Sequence, residues 1–135
     1  MKIIIDTNIW ISIFINKEFQ FFIEKILRND IKIASSIQQI AEISAVLKHP
    51  KLSSYINKTF AEEFLLLFLK AVEIVEPKIK ITDCRDVKDN FILEAAFSGN
   101  IDFIVTDDED LLVLDPYKQI RIVKVRDFYN LAKLR

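Results

Sequence analysis

The sequence is poor in the residues on which several common active sites depend. It has one glycine, Gly99, so neither a phosphate-cradling P-loop nor a Gly-rich dinucleotide fingerprint can be written in it. It has one histidine, His49, in the loop-like stretch "KHPK", which argues against histidine zinc sites and Ser–His catalysis. Its one cysteine, Cys84, excludes an internal disulfide and fits a cytoplasmic protein. Apolar runs are short, as in "FLLLFL" (64–69), well under the roughly 20 residues of a membrane span. Asp6 interrupts the first apolar stretch too early for a secretory signal. Positive charge is not in surplus either. The formal net charge is −1, so attraction to a nucleic acid would have to be local or carried by bound metal ions.

Apolar residues make up 51% of the 135, enough for one core, and the expectation is a single domain over 1–135. "KIIID" reads as a strand buried on both faces. "TNIWISIFI" follows as a helix with Thr7 or Asn8 as N-cap. Phe19–Asp30 has helical spacing, "IKIAS" is a second strand, and a helix runs from Ser36 to a stop at Pro50. Residues 52–72 read as one helix with an apolar face of Phe60, Phe64, Leu67 and Phe68. "VEIVEP" is a third strand and "KIKITDCRD" a connection. "VKDNFILEAAFSGN" is a helix closed by Ser98-Gly99-Asn100. "DFIVTDDED" is a strand running into acids, "QIRIVKV" a last strand and "RDFYNLAKL" a last helix. Strands alternate with helices throughout, the pattern of an α/β sandwich on a mostly parallel sheet.

In such sheets ligands bind beyond the carboxyl ends of the strands, where strand order reverses. Two strands here end in carboxylates, one at Asp6 and one at Asp107, Asp108 and Asp110. Glu42 lies at the margin of its helix's apolar arc, and Asp89 lies beside Leu93 and Ala96. Each acid alone has an ordinary account. Asp6 can form a turn, Glu42 can be a half-exposed helix residue, and Asp86 with Asp89 has the spacing of a capping pair. "TDDED" can cap a short helix. The combination points elsewhere. Carboxylates gathered within a few Å repel one another unless some protonate or a cation joins them. An all-oxygen donor set suits Mg²⁺ or Mn²⁺, where zinc or copper would call for His or Cys. Such ions bind phosphates, activate water and stabilise the transition state of phosphodiester hydrolysis.

The ordered set "IIIDTN", "SIQQIAEISAVL" and "RDVKDNFILEAAFSGNIDFIVTDDEDLL" resembles the PIN-domain family over essentially the whole chain. It is most similar to the VapC-like toxins of type II toxin–antitoxin pairs. The resemblance implies a three-layer α/β/α sandwich and a Mg²⁺- or Mn²⁺-dependent ribonuclease. It further implies RNA as substrate, a cognate antitoxin as partner, and a homodimer. By match, Asp6, Glu42, Asp89 and Asp108 are the catalytic, metal-holding acids, with Asp110 the next acid along. Asn8 and Thr106 match small polar residues that orient ligands or substrate. Asp107 stands where the family often has a small residue, which leaves the fourth acid open between Asp107, Asp108 and Asp110. Val87 replaces a proline common after the first aspartate of this block. Arg85 and Lys88 flank that aspartate and either contact phosphates or are solvated surface charges.

Two other readings compete. A non-catalytic PIN scaffold would use the Phe60, Phe64 and Phe68 face for docking, the ordinary alternative being that this face is core. A phosphatase of the haloacid-dehalogenase type would need a second aspartate two residues after Asp6, where Asn8 stands.

Overall fold

The computed structural model describes residues 1–134. β1 (Lys2–Ile5) is three isoleucines after a lysine, all three buried. β-Branched side chains suit a strand packed on both faces. Their alternation divides them between two cores. Ile3 and Ile5 point into one, with Trp10, Phe14, Ile43, Phe64 and Phe68; Ile4 points into the other, with Phe91, Ile92, Leu93 and Ala96. The sheet is therefore the middle of three layers, as expected.

All five strands are parallel, in the order β3-β2-β1-β4-β5, with β2 at Lys32–Ser35, β3 at Val72–Ile74, β4 at Phe103–Val105 and β5 at Arg121–Val123. One layer holds α1 (Thr7–Ile15), α2 (Phe19–Arg28), α3 (Ile37–Leu47), α5 (Lys58–Ala71) and α8 (Val125–Leu131). The other holds α6 (Asn90–Ser98) and the short α7 (Glu109–Leu112). The chain builds β2 and β3 on one side of β1, then crosses back to lay β4 on the other. This reversal leaves a crevice beyond the carboxyl ends of β1 and β4, where Ile5 pairs with Val105.

Several boundaries differ from expectation for local reasons. Pro50 starts a helix instead of stopping one. It opens the short α4 (Pro50–Ser53), for which a proline's missing N–H is harmless, and His49 caps it. The helix expected over 52–72 restarts at Lys58, where Asn57 accepts a hydrogen bond from the Phe60 amide at 2.7 Å. β3 ends at Ile74: the Val75 amide still reaches Ser35 O at 2.8 Å, and Pro77 has none to offer. The N-cap of α1 is Asp6, not Thr7 or Asn8. Its carbonyl accepts from the Ile9 and Trp10 amides, while its carboxylate is used elsewhere.

Gly99 ends α6, but not by adopting a left-handed backbone. Its φ is −95°, and Asn100 takes the positive φ of 53°. What requires a glycine is proximity, since a Cβ there would lie 2.9 Å from Val75 Cγ2. The phenylalanine face of α5 is core. Phe64 and Phe68 are buried, Phe60 stacks on Phe14 at 5.1 Å, and Trp10 meets Phe68 edge-on at 4.9 Å. That occupies the face on which a docking role would rest.

Candidate metal centre

The crevice collects acids from two strand ends and one helix start. Asp6 follows β1 directly and is buried. Its Oδ2 accepts a hydrogen bond from Thr106 Oγ1 at 2.7 Å. Thr106 is fully buried one residue beyond β4, and its hydroxyl oxygen in turn accepts the Asp108 amide at 3.0 Å. Because Thr106 Oγ1 is thereby an acceptor toward Asp108, its proton is directed at Asp6. Asp108 caps α7, with Oδ1 accepting the Asp110 amide at 2.9 Å.

Asp89 sits at the junction of a short 3-10 turn (Val87–Asp89) and α6. One carboxylate oxygen from each of Asp86, Asp89 and Asp108 lies within 4.8 Å of the other two. Asp89 Oδ2 is buried with no hydrogen-bond partner among the described residues. Burial, the adjacent Asp108 carboxyl group, and then Asp6 and Asp86 push the Asp89 pKa up to about 7. Burial also raises Asp6 above the usual carboxylate range, with Asp108 and Glu42 adding to the effect. Donation from Thr106 and the Thr7 amide pulls the other way.

The remaining candidates fall around this cluster. Glu42, on α3, is exposed and reaches the cluster through its charge on Asp6. Asp110 is turned to Arg85, at 2.9 Å, and Asp107 is exposed. Of the three candidate aspartates after β4, Asp108 is the one beside Asp89. Asn8 is exposed on the first turn of α1. Lys88 Nζ lies 3.8 Å from Asp86, so both basic residues of the block have acidic partners within it.

Sequence reasoning passed over three residues here. Asp86 was legible only as a cap, which it is, accepting the Lys88 amide at 3.2 Å; its second role in the triad depends on the fold. Gln39 is buried and bridges two strand ends, donating to Ile5 O at 2.6 Å and accepting from Ser35 Oγ at 2.6 Å. Its one signal was a glutamine on the inner side of an apolar helix. Asn90 is buried and accepts the Cys84 amide at 2.9 Å.

A hard divalent cation fits this arrangement. The donors are all carboxylate oxygens, one is buried and unpaired, and the burial and mutual repulsion that raise Asp6 and Asp89 are what a cation would offset.

Comparison with known proteins agrees with the architecture. The profile of the PIN domain matches residues 2–110. An uncharacterised protein of Methanocaldococcus jannaschii, MJ1680, is 30% identical over 126 residues, covering 90% of this chain and 81% of that protein. The crystal structure of PAE2754 from Pyrobaculum aerophilum superposes with a TM-score of 0.66 at 14% identity, covering 98% of this chain and 90% of that one. VapBC2 from Rickettsia felis, solved bound to a DNA fragment from the promoter of its own genes, gives 0.59 at 20% identity, covering 90% of this chain and 97% of that one.

Proposed function

The chain belongs to the PIN-domain family, and from that premise we propose that it is a Mg²⁺- or Mn²⁺-dependent ribonuclease, the toxin of a toxin–antitoxin pair. PIN domains are generally nucleases. The observation that carries the reading is the meeting of Asp86, Asp89 and Asp108 in one crevice with Asp6 beside them, from segments far apart in sequence.

In this reading Asp6, Asp89 and Asp108 hold the cation, with Asp86 joining them. Glu42 and Asp110 act at the rim through water. When bound, the ion supplies Lewis acidity, lowering the pKa of water and offsetting charge on the phosphoryl oxygens. The chain's own groups set the geometry. Thr106 holds Asp6 through Oδ2, and the Thr7 amide also donates to that carboxylate, so its orientation is fixed by the strand ends. The Asp110 amide anchors Asp108 in the same way, through Oδ1. Gln39 ties the last carbonyl of β1 to the end of β2, fixing the backbone from which Asp6 projects. By the family match, Asn8 and Thr106 are the small polar residues that orient ligand or substrate, Thr106 through its hydrogen bond to Asp6.

Labelled RNA incubated with the protein should be cut in Mg²⁺ or Mn²⁺ and left intact in EDTA. Asp6→Asn and Asp89→Asn should each lower cleavage at least about a hundredfold while the circular dichroism spectrum is retained. Cleavage at the wild-type rate by both variants would overturn the assignment. For the toxin role, the expected outcome is a tight complex with the product of an adjacent short reading frame, with cleavage suppressed in it. The homodimer is read by light scattering of the isolated chain.

A further inference from the structure

Residues 75–86, between β3 and the 3-10 turn, form no helix or strand, yet this segment delivers Asp86 and Asp89 to the crevice. Its backbone is fastened at intervals. The Lys78 amide donates to Ser98 Oγ, the Ile81 amide to Glu94 Oε2 and the Cys84 amide to Asn90 Oδ1, each at 2.9 Å. The donors recur every third residue. The acceptors recur every fourth in reverse order, which places them on one stripe of α6. The segment is thus laced antiparallel down that helix, from an exposed tie at Ser98 to a buried one at Asn90. At its start, Val75 rests on Gly99, where a Cβ would lie 2.9 Å from Val75 Cγ2. On its other side the Tyr117 hydroxyl donates to Asp83 Oδ2, and the Ile81 and Cys84 side chains are buried against α6 and α7.

We infer that Asn90, Glu94, Ser98 and Tyr117 are positioning residues that fix the register of this segment and so place Asp86 and Asp89 against Asp108. The inference rests on the metal-centre reading above. None of the four needs to touch the ion or the substrate. The magnitudes favour a register role. A slip of one residue moves each Cα to its neighbour's place, about 3.8 Å away, whereas a working site tolerates displacements of about 0.5 Å. Three evenly spaced ties forbid that slip in a segment with no ladder of its own.

The test is Mg²⁺ titration calorimetry at 25 °C on wild type, Glu94→Ala, Glu94→Gln and Tyr117→Phe, with hydrogen exchange read at the Ile81 amide. Glu94→Ala and Tyr117→Phe should weaken Mg²⁺ about tenfold, the scale of outer-shell changes at metal sites. Glu94→Gln, which keeps an acceptor oxygen, should stay within about threefold of wild type on the same scale. In Glu94→Ala the Ile81 amide should exchange faster. Wild-type affinity in Glu94→Ala, with Ile81 exchange accelerated, would overturn the inference and leave the metal centre standing. A wild type that binds no Mg²⁺ overturns both. If Glu94→Ala does not fold, Tyr117→Phe, which removes a single oxygen, decides between the same outcomes.

Discussion

Asp89 is the residue at which structure and chemistry are most tightly joined. Its pKa in the folded chain is about 7, against 3.8 as the ordinary value. Between those values the folded state holds a proton that the unfolded state has released. The associated stability is present below about pH 4 and is lost as the pH rises through about 7. Asparagine mimics the protonated acid without the titration. Asp89→Asn should therefore melt above metal-free wild type at pH 7.5, and the gap should narrow as the pH falls and close only below about pH 4, as followed by thermal unfolding in EDTA. An unchanged gap across that range would mean that burial and the neighbouring acids do not raise this carboxyl group.

Much of what gathers in the crevice was legible at this scale. Asp6 and the acids after β4 stood out because a carboxylate that closes an apolar strand is costly to bury without a partner. Asp89 stood out by its place beside Leu93 and Ala96. Asp86 was hidden by its local role, and the choice among Asp107, Asp108 and Asp110 could not be made from spacing. It depends on which way a four-residue helix turns once Thr106 has gripped the Asp108 amide.

Among the elements, α6 carries more than its nine residues suggest. Its inner side packs Phe91, Leu93 and Ala96 against the sheet, and a second stripe holds the segment before it. Gly99 closes the helix at the point of tightest contact. Gly99→Ala would push a methyl group toward the Val75 side chain, which must move or strain. The expected cost is about 1–3 kcal/mol, the range for overpacking, seen as a lower denaturant midpoint with an unchanged slope. A neutral result would mean that Val75 has room to rotate away. The sequence announced this glycine as a helix stop, and the helix does stop there. That it is needed for the earlier Val75 was invisible, because close approach leaves no local trace. The same holds for 75–86: its ties are side chain to backbone, and they follow neither the period of a strand nor that of a helix. By contrast, β1 and α1 were readable almost to the residue, because unbroken β-branched and helical patterns bury themselves in only one way.

For the whole molecule, strand order decides what meets. Alternating strands and helices implied a parallel sheet, but not that β4 would return beside β1; the acids at both strand ends were the only hint. Their convergence has a thermodynamic consequence. An ion that binds the assembled cluster and not the unfolded chain stabilises the fold by mass action, by about 2.7 kcal/mol at a concentration a hundredfold above its dissociation constant. Millimolar Mg²⁺ should raise the melting temperature of wild type, EDTA should reverse the rise, and Asp89→Asn should show little of it. A wild type indifferent to Mg²⁺ would argue that the carboxylates are balanced by other means.

The hydrogen bond from Thr106 to Asp6 spans 100 positions of the chain. During synthesis, Asp6, Glu42, Asp86 and Asp89 all leave the ribosome before the residues that complete their cluster. An unfinished polypeptide therefore carries most of the acids and none of the assembled pocket. On the proposed ribonuclease reading, the transcript being read meets a finished pocket only after β4 has docked beside β1.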